Sequence, residues 1–316
     1  MSVAAGRPRR LATVDLGTNT VRLLVVEADD DAWRALHQTQ RVTRLGEGQA
    51  ASGRLLPEPM RRTAATVAEF ARAARGLGAT RIRIVATSAV REAGNRAEFV
   101  ARLEAEAGEP VEVVSGEDEA RLTLRGVTSG LPGLGQSFVL FDIGGGSTEF
   151  MRARRGIAAD AVSLRLGVVP LVEQWGDPGP VRWDRFAEMR EHIERRLAAE
   201  VPDAIAAAGA DELVGTAGTV TTLAALDLGL PAYDAARVHG HRLGRAAVER
   251  ELARLGALSV ADRGRLPCLE PGRADVIIPG IAICLAAMAR LGRGSLVVSD
   301  RGLREGILCE LLGAAR

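Results

Sequence analysis

The chain has 316 residues, 47% of them hydrophobic, and a formal net charge of +1. This length and apolar content predict about two domains with separate cores, and the near-neutral charge excludes a protein that coats nucleic acid. The three cysteines are far apart and form no C-x-x-C pair. Neither a disulfide framework nor a zinc site is therefore predicted.

The segments that could direct the chain to a membrane are too polar or too short. The basic N-terminus, residues 1–10, is followed by an apolar run that Asp15 interrupts, which excludes an ordinary signal peptide. The most apolar later segment, 276–289, is shorter than the roughly 20 residues needed to span a bilayer. We therefore expect a cytoplasmic protein without a membrane or nucleic-acid partner.

Apolar periodicity predicts alternating strands and helices in the first half of the chain. The predicted strands are 10–16, 21–28, 33–41, 81–86 and 110–114, and the predicted helices are 58–77, 95–107 and 115–126. Strand 81–86 leads into T-S-A-V-R-E-A-G-N. Hydroxyls and Arg91 at the end of a sheet strand are well placed to line a cleft. The alternative is a helix N-cap by Ser88 and a surface arginine.

The segment S-G-E-D-E-A-R, which begins at Ser115, has the pattern of a helix start. Ser115 with Asp118 three residues later resembles a capping box. Acids in a first helical turn face the positive end of the macrodipole, which is a sufficient structural reason for most of them. Glu119 differs, because it shares a helical face with Leu122 and Thr123 and can point inward.

The second half opens with D-I-G-G-G-S-T-E, from Asp142 to Glu149, after the apolar run 137–141. The run predicts a buried strand, and three glycines without Cβ atoms let consecutive N–H groups converge on an anion. Two acids in a phosphate loop are best explained by a divalent cation or an attacking water between them and the ligand. The alternative is an ordinary glycine-rich turn.

A similar motif, D-L-G-T-N-T-V-R, lies near the start of the chain. The aligned pairs are Asp15 with Asp142, Gly17 with Gly144, and Thr20 with Ser147. Two such hairpins predict two similar domains, each of which begins with a phosphate-binding hairpin and faces the other across a cleft.

Further elements are predicted after the glycine loop. The strands are 147–153, 160–166, 211–215 and 295–298, and the helices are 184–199, 202–208, 244–255 and 274–290. Strand 211–215 leads into G-T-A-G-T-V-T-T, where a helix beginning near Thr219 would present amides and hydroxyls to an anion. The alternative is an ordinary strand-to-helix turn that glycine facilitates. His239 and His241 lack a third ligand nearby and are interpreted as structural.

Six motifs occur in the order typical of one protein family. They are D-L-G-T-N-T-V-R-L, T-S-A-V-R-E-A-G-N, S-G-E-D-E-A-R-L, D-I-G-G-G-S-T-E-F, G-T-A-G-T-V-T-T-L and S-D-R-G-L-R-E-G-I-L. They span nearly the whole chain, which resembles the exopolyphosphatase/guanosine pentaphosphatase (Ppx/GppA) phosphatase family. The resemblance implies two α/β domains of the ribonuclease H-like fold shared by actin, sugar kinases and Hsp70, with phosphates held in the interdomain cleft.

On that fold we expect a first domain over residues 1–128 and a second over 129–301. The last motif would begin a helix, 302–314, that packs back onto the first domain. A homodimer is also expected, since family members often pair.

The resemblance implies roles for individual residues as well. Glu119 matches the catalytic glutamate, which would orient and deprotonate a water. Asp142 and Glu149 would serve Mg²⁺, or Mn²⁺, and the attacking water, with Asp15 as a further metal ligand. The residues expected to bind phosphate are Asn19, Thr20, Arg22, Arg91, Gly144, Gly145, Gly146, Ser147, Gly218 and Thr219, with Arg273 as a weaker candidate.

The expected activity is hydrolysis of terminal phosphate from inorganic polyphosphate. The sequence stops at Arg316, soon after the last motif, whereas long family members continue into helical domains, so short chains are the expected substrate. The closest alternative is the 5′-phosphate of guanosine pentaphosphate (pppGpp). Alternatives of other classes are an ATP-dependent kinase or ATPase of the same fold and a non-catalytic sensor of polyphosphate or alarmone.

Overall fold

The computed structural model describes residues 8–29, 32–207 and 212–313. These residues form two compact units, one made of the chain up to Ser115 together with the chain from Leu303 onward, and the other of Gly116–Gly302. Some predicted features extend beyond the described residues. They are the basic N-terminus over 1–7, residue 208 of helix 202–208, residue 211 of strand 211–215 and residue 314 of helix 302–314.

The first unit contains five strands and five helices among its described residues. The strands are β1 (Arg9–Leu16), β2 (Thr20–Ala28), β3 (Trp33–Val42), β4 (Arg81–Ala86) and β5 (Val111–Val113). The helices are α1 (Gln49–Ser52), α2 (Pro57–Gly76), α3 (Ser88–Glu92), α4 (Arg96–Ala107) and α14 (Leu303–Gly313), which is numbered by its place in the chain.

The five strands form one mixed sheet in the order β3-β2-β1-β4-β5. β1 pairs antiparallel with β2 and parallel with β4. Helix α2 covers one face because Val67, Phe70, Ala71 and Ala74 fall at helical spacing and are all buried. The sheet therefore delivers Asp15, near the end of β1, to the turn before β2.

Helix α14 packs on β1 and β2 and completes the first unit. Its Leu308 and Leu311 form a buried cluster with Leu11, Leu24 and Val26. The last segment of the chain therefore belongs to the core of the unit that the first segment begins.

The second unit also contains a mixed sheet, with one more strand. The strands are β6 (Ser137–Ile143), β7 (Thr148–Arg154), β8 (Ile157–Leu164), β9 (Glu212–Thr216), β10 (Arg242–Gly244) and β11 (Ser295–Val298). The helices are α5 (Gly116–Gly130), α6 (Val168–Trp175), α7 (Trp183–Glu200), α8 (Asp203–Ala206), α9 (Ala217–Asp227), α10 (Ala235–Val238), α11 (Arg245–Gly256), α12 (Val260–Arg263) and α13 (Ile277–Arg290), with a short 3₁₀ helix at Pro271–Arg273.

The order of the second sheet, β10-β11-β9-β6-β7-β8, repeats that of the first. β6, β7 and β8 form an antiparallel meander, and β9 and β11 continue the sheet in parallel on the other side of β6. Strand β10 is an antiparallel addition at the edge. The predicted fold class, two α/β domains of ribonuclease H-like type, is confirmed.

The division between the units lies between Ser115 and Gly116, whereas it was expected after residue 128. The difference is helix α5, which packs on β7 and β8. Its Ala120, Leu124 and Val127 lie in one buried cluster with residues of β6, β7 and β9. The helix that carries Glu119 is therefore part of the second unit, because its apolar face is buried there.

Several element boundaries differ from the predicted ones. Helix α5 continues to Gly130, four residues beyond the predicted end, and β8 begins at Ile157 and not at residue 160. Short elements α1, α6, α10, α12 and β10 were not predicted. Among the described helices, none has the length and hydropathy of a bilayer-spanning segment.

The packing of α14 gives a test of the first unit. Leu308 is fully buried, so we expect Leu308→Ala to lower the free energy of unfolding by about 2–5 kcal/mol through lost burial and the cavity left behind. Urea unfolding followed by circular dichroism measures this change.

The matched control is Ile157→Ala, because Ile157 is 71% exposed. This change is expected to alter the free energy of unfolding by no more than about 0.5 kcal/mol. Equal effects of the two substitutions would contradict the placement of α14 in the core of the first unit.

Candidate functional site

The two hairpin loops close with the same turn. In the first, the backbone N–H of Gly17 donates to the carbonyl of Thr20 at 3.1 Å, and in the second the N–H of Gly144 donates to the carbonyl of Ser147 at 2.9 Å. These are the positions that the sequence alignment paired. The predicted internal repeat is therefore present in the backbone geometry.

The segment that enters α6 makes two backbone hydrogen bonds to carbonyl groups of the glycine loop. The N–H of Val168 donates to the carbonyl of Gly144 at 3.2 Å, and the N–H of Val169 donates to that of Gly145 at 2.8 Å. A Cβ on Gly167 would lie 2.3 Å from the Gly145 carbonyl oxygen. Glycine is therefore required at 167 for the two segments to approach this closely.

The first loop is held in the same way by the segment after β3. The N–H groups of Thr43 and Arg44 both donate to the carbonyl of Asn19 at 3.0 Å, and that of Gly46 donates to the carbonyl of Thr18 at 2.9 Å. In both units, then, the chain that follows the third strand binds the loop carbonyls.

These bonds fix the direction of the loop amides. Within one trans peptide the C=O and the next N–H point in opposite directions. The bound carbonyls of Thr18, Gly144 and Gly145 therefore turn the N–H groups of Asn19, Gly145 and Gly146 away from the segments behind them. Among the described residues, these three N–H groups have no hydrogen-bond partner. The loops thus present amides of the kind that bind phosphate oxygens.

Buried polar side chains surround the first loop. Asp15, Asn19 and Thr20 are all buried, and Arg22 donates from Nη1 to Asp15 Oδ2 at 3.3 Å. Oδ1 of Asn19 is buried and makes no hydrogen bond to any described residue. An unpaired buried amide oxygen is costly in a folded protein, which indicates that a ligand or water completes this loop.

Asp15 also lies near a buried ion pair from α14. Arg304 donates from Nε and Nη2 to Glu305 Oε1 at 2.9 and 2.6 Å, and both side chains are buried. Burial raises the pKa of Asp15 above the ordinary carboxyl value, and the guanidinium groups of Arg22 and Arg304 oppose the rise. The last motif of the chain therefore contributes charge beside the first loop.

The second hairpin places two acids opposite each other. Asp142 on β6 and Glu149 on β7 are directly paired across the antiparallel ladder, where opposing Cβ atoms are about 5 Å apart. Glu149 is only 2% exposed. The hydroxyl of Ser163 on β8 donates to Glu149 Oε1 at 2.7 Å.

A divalent cation suits this pair of carboxylates. The position equivalent to Glu149 in the first hairpin is Arg22, which pairs with Asp15 in the same register. The first unit thus neutralises its acid with an arginine, whereas the second has two acids. Carboxylate oxygens are the ligands of Mg²⁺ and Mn²⁺, so the donor set fits such an ion.

No three His, Cys, Asp or Glu side chains within residues 8–29, 32–207 and 212–313 form a cluster that could hold a metal ion. Of the predicted metal ligands, Asp15 belongs to the first unit, and Asp142 and Glu149 belong to the second. Their joint role as metal ligands stays a prediction.

Glu119 differs from the other acids of its helical turn. Glu119 is 9% exposed, whereas Glu117 is exposed and Asp118 is half-buried. Asp118 pairs with Arg121 at 3.2 Å on the surface of the helix. The side chain of Glu119 is therefore buried, as its helical spacing with Leu122 allowed.

The third predicted phosphate loop, residues 215–219 at the junction of β9 and α9, combines a strained residue with a helix N-terminus. Helix α9 begins at Ala217, two residues earlier than predicted, and Ala217 has a φ of 69°, which is costly for a residue with a Cβ. The hydroxyl of Thr216 donates toward the carbonyls of Ser299 and Arg301, each at 3.0 Å. The turn is therefore held against the end of β11.

Arg273 covers the start of α9. A Cβ on Gly218 would lie 1.6 Å from Arg273 Nη1, so the guanidinium occupies the space that a side chain would take. Arg273 also pairs with Glu270 at 3.2 Å. Thr219 is buried against α13, where a Cβ on Gly280 would lie 2.3 Å from its Oγ1. The predicted anion site at this loop thus has an arginine within reach.

Arg91 does not have the environment of the predicted surface arginine. Its side chain is partly buried and donates to the carbonyl of Val114 at 3.1 Å and to Glu92 at 3.2 Å. The N-cap of α3 is Thr87, without a side-chain bond, and not Ser88. The alternative of a Ser88 cap with a surface arginine is therefore wrong.

The two histidines that were interpreted as structural, His239 and His241, both make hydrogen bonds. The backbone N–H of Asp300 donates to His239 Nδ1 at 3.1 Å, and His239 Nε2 lies 2.9 Å from the carbonyl of Gly130. His241 Nε2 lies 2.9 Å from Asp227 Oδ2. Their interpretation as structural residues is consistent with these contacts.

The sheets bring some of the predicted site residues together within each unit. In the second unit β6 sets Asp142 beside Glu149 on one side and Thr216 on the other, and in the first unit β1 sets Asp15 beside Arg22. Sequence reasoning missed Ser163, Gly167 and the buried pair of α14. Only the α14 pair carried a signal, since it lies inside the last motif.

Comparisons with known proteins agree with this fold and these motifs. The model of the Ppx/GppA phosphatase family matches residues 24–315. Exopolyphosphatase 2 of Mycobacterium tuberculosis is 35% identical over 318 aligned positions, which cover 96% of this chain and 99% of that protein.

Solved structures show the same likeness. The Aquifex aeolicus member of the Ppx/GppA family has a TM-score of 0.81 at 31% identity, with 98% of this chain and 99% of that chain covered. An exopolyphosphatase from Cytophaga hutchinsonii has a TM-score of 0.90 at 26% identity, with 97% and 98% covered. The chain therefore belongs to the Ppx/GppA phosphatase family, as its six motifs predicted.

Proposed function

We propose that this protein is an exopolyphosphatase, which removes the terminal phosphate of inorganic polyphosphate by attack of a water that Glu119 activates. The observation that carries the proposal is the pair of hairpin loops whose amides at Asn19, Gly145 and Gly146 are turned outward. Such loops bind phosphate oxygens and make no demand on a base or sugar. The repeating phosphate groups of inorganic polyphosphate supply such oxygens.

Backbone and arginine groups in each unit would bind phosphate groups. Gly145 and Gly146 supply amides, and Ser147 a buried hydroxyl. The N-terminus of α9 with Gly218 and Thr219 supplies a further anion site, and Arg273 lies directly over it. From the first unit, Asn19, Thr20 and Arg22 would act in the same way. The carbonyl and carboxylate already bound to Arg91 make it a weaker candidate.

Asp142 and Glu149 would hold the divalent cation, Mg²⁺ or Mn²⁺. A cation bound there would supply positive charge to the phosphate oxygens and favour in-line displacement. Because Arg22 already neutralises Asp15, Asp15 is a weaker metal ligand than the pair on the second hairpin. Glu149, which is the more buried of that pair, would also help to place the attacking water.

Glu119 would act as the general base. A carboxylate can take the proton of a water as its oxygen bonds to the terminal phosphorus and the bridging P–O bond breaks. The products would be orthophosphate and a chain shortened by one phosphate. Burial restricts the rotamers of Glu119, which favours one orientation toward the water.

The closest alternative substrate is pppGpp, whose 5′-phosphates could occupy the same loops. An ATPase or kinase and a non-catalytic sensor are alternatives of other classes. The substrate assay below separates all of them, because each gives a different pattern of phosphate release and binding.

The role of Glu119 as the general base can be tested by phosphate release. Phosphate release is measured with Mg²⁺ from short polyphosphate, long polyphosphate, pppGpp and ATP in parallel. We expect release from polyphosphate, fastest from short chains, and a loss of about 100-fold or more in kcat for Glu119→Gln, since an amide cannot accept the proton.

Glu117→Gln is the control for that experiment, because Glu117 is an exposed acid in the same helical turn. Its kcat is expected to stay at the wild-type value. Faster release from pppGpp would favour the alternative substrate, and release from ATP alone would favour the ATPase. Polyphosphate binding without release from any substrate would overturn the hydrolase proposal in favour of a sensor.

The role of the loop before α9 in substrate binding can be tested at Gly218. Gly218→Ala places a methyl group where Arg273 now lies, so the guanidinium must move away from the start of α9. We expect kcat/KM for polyphosphate to fall by about 10- to 100-fold, because displacement of a binding group by about 1 Å has effects of this size.

Gly76→Ala is the control, because Gly76 is also a helical glycine but a Cβ there meets nothing within 4 Å. Its kcat/KM is expected to match the wild type. If Gly218→Ala also kept wild-type kcat/KM, the third loop would have no part in substrate binding.

A further inference from the structure

We infer that Ser163 is a positioning residue for Glu149, which holds that carboxylate in the orientation that the cation or the attacking water requires. The inference deepens the proposed function and rests on the role that it gives to Glu149. No sequence motif indicated Ser163, because it lies within an ordinary strand segment, V-S-L.

The geometry begins with a row of side chains across the second sheet. Thr216 on β9 pairs with Asp142 on β6, Asp142 pairs with Glu149 on β7, and Glu149 pairs with Ser163 on β8. Residues directly opposite each other on neighbouring strands project from the same face of a sheet. Two acids therefore lie side by side with a hydroxyl residue at each end of the row.

The two hydroxyls of the row have different partners. Thr216 directs its hydroxyl to backbone carbonyls at Ser299 and Arg301. Ser163 donates its proton to Glu149 Oε1 at 2.7 Å, a charge-assisted bond to a carboxylate that is almost fully buried. Ser163 is therefore the hydroxyl of this row that acts on an acid.

The side on which this bond lies is important. Asp142 and Ser163 occupy opposite sides of Glu149, since β7 lies between β6 and β8. The bond therefore draws Oε1 toward β8 and away from the like charge of Asp142. Side-chain hydrogen bonds of this kind, made to groups that bind a metal, restrict their orientation and increase affinity.

The surroundings of Ser163 leave room for a conservative change. Ser163 lines a groove of about 680 Å³ between α5 and β8, together with residues such as Ala161 and Arg121. A methyl group added at Ser163 can project into this groove. Ser163→Thr therefore retains the hydroxyl without overpacking, and threonine is favourable in a strand.

The test compares Ser163→Ala, Ser163→Thr and the control Ser137→Ala. Ser137 lies on β6 of the same sheet, and its buried Oγ has no hydrogen-bond partner in the part of the chain that the structure describes. The control thus removes the same atom without removing a bond to an acid. Mn²⁺ binding is measured by electron paramagnetic resonance, and kcat and KM for polyphosphate are measured with Mg²⁺.

We expect Ser163→Ala to weaken Mn²⁺ binding by about 10-fold and to lower kcat by a similar factor. KM for polyphosphate should not change, because Ser163 does not belong to the phosphate loops. Ser163→Thr is expected to restore both Mn²⁺ binding and kcat, and Ser137→Ala to leave both at the wild-type values.

The outcomes separate this inference from the proposed function. Polyphosphate hydrolysis and Mn²⁺ binding that are unchanged in Ser163→Ala would overturn the inference alone. Equal losses in Ser163→Ala and Ser137→Ala would also overturn it, because they would show a general effect on the sheet. Weaker Mn²⁺ binding in Ser163→Ala, in a protein that releases no phosphate, would support the inference and overturn the proposed function. A wild type that binds no Mn²⁺ would overturn the assignment of the cation to Glu149, and this inference with it.

Discussion

Both hairpin loops depend on one constraint, which is that their carbonyl groups accept hydrogen bonds from the segment that follows the third strand of each sheet. In the second unit Val168 and Val169 bind two successive carbonyls, and in the first unit the segment after β3 does the same for Thr18 and Asn19. Because each peptide is planar and trans, binding of the carbonyls turns the following amides outward. The direction of the amides is thereby set before any ligand arrives, so little conformational entropy remains to be lost when a phosphate binds.

The two hairpins share this backbone but differ in charge. Asp15 faces Arg22 across the ladder, whereas Asp142 faces Glu149 at the equivalent place. Like charges directly opposite each other on neighbouring strands repel, whereas opposite charges attract. One hairpin therefore carries its own cation, while the other has a strong electrostatic reason to acquire one.

The sequence was sufficient to predict most of the fold and the main features of the loops. Local periodicity identified the long strands and helices, and the repeated glycine and hydroxyl spacing predicted the paired turns at Gly17 and Gly144, because these features depend on near neighbours in the chain. The placement of α5 could not be predicted, since an amphipathic helix between two domains has an apolar face suited to either.

Contacts between distant segments were likewise not visible in the sequence. Gly167 lies against Gly145, and the Arg273 guanidinium lies over Gly218. The two members of each pair are far apart in the chain. Short-range patterns carry no information on such pairs. The bond from Ser163 to Glu149 is of the same kind, because it depends on the register of two strands.

The division of the chain between the units has a consequence for its synthesis on the ribosome. The second unit is continuous in sequence, whereas the first needs α14, whose Leu308 covers Leu11 and Leu24. Translation proceeds from the N-terminus, so the sheet of the first unit keeps an uncovered apolar patch until α14 emerges. The second unit, with the acids of the proposed active centre, can therefore complete its core on the nascent chain before the first unit does.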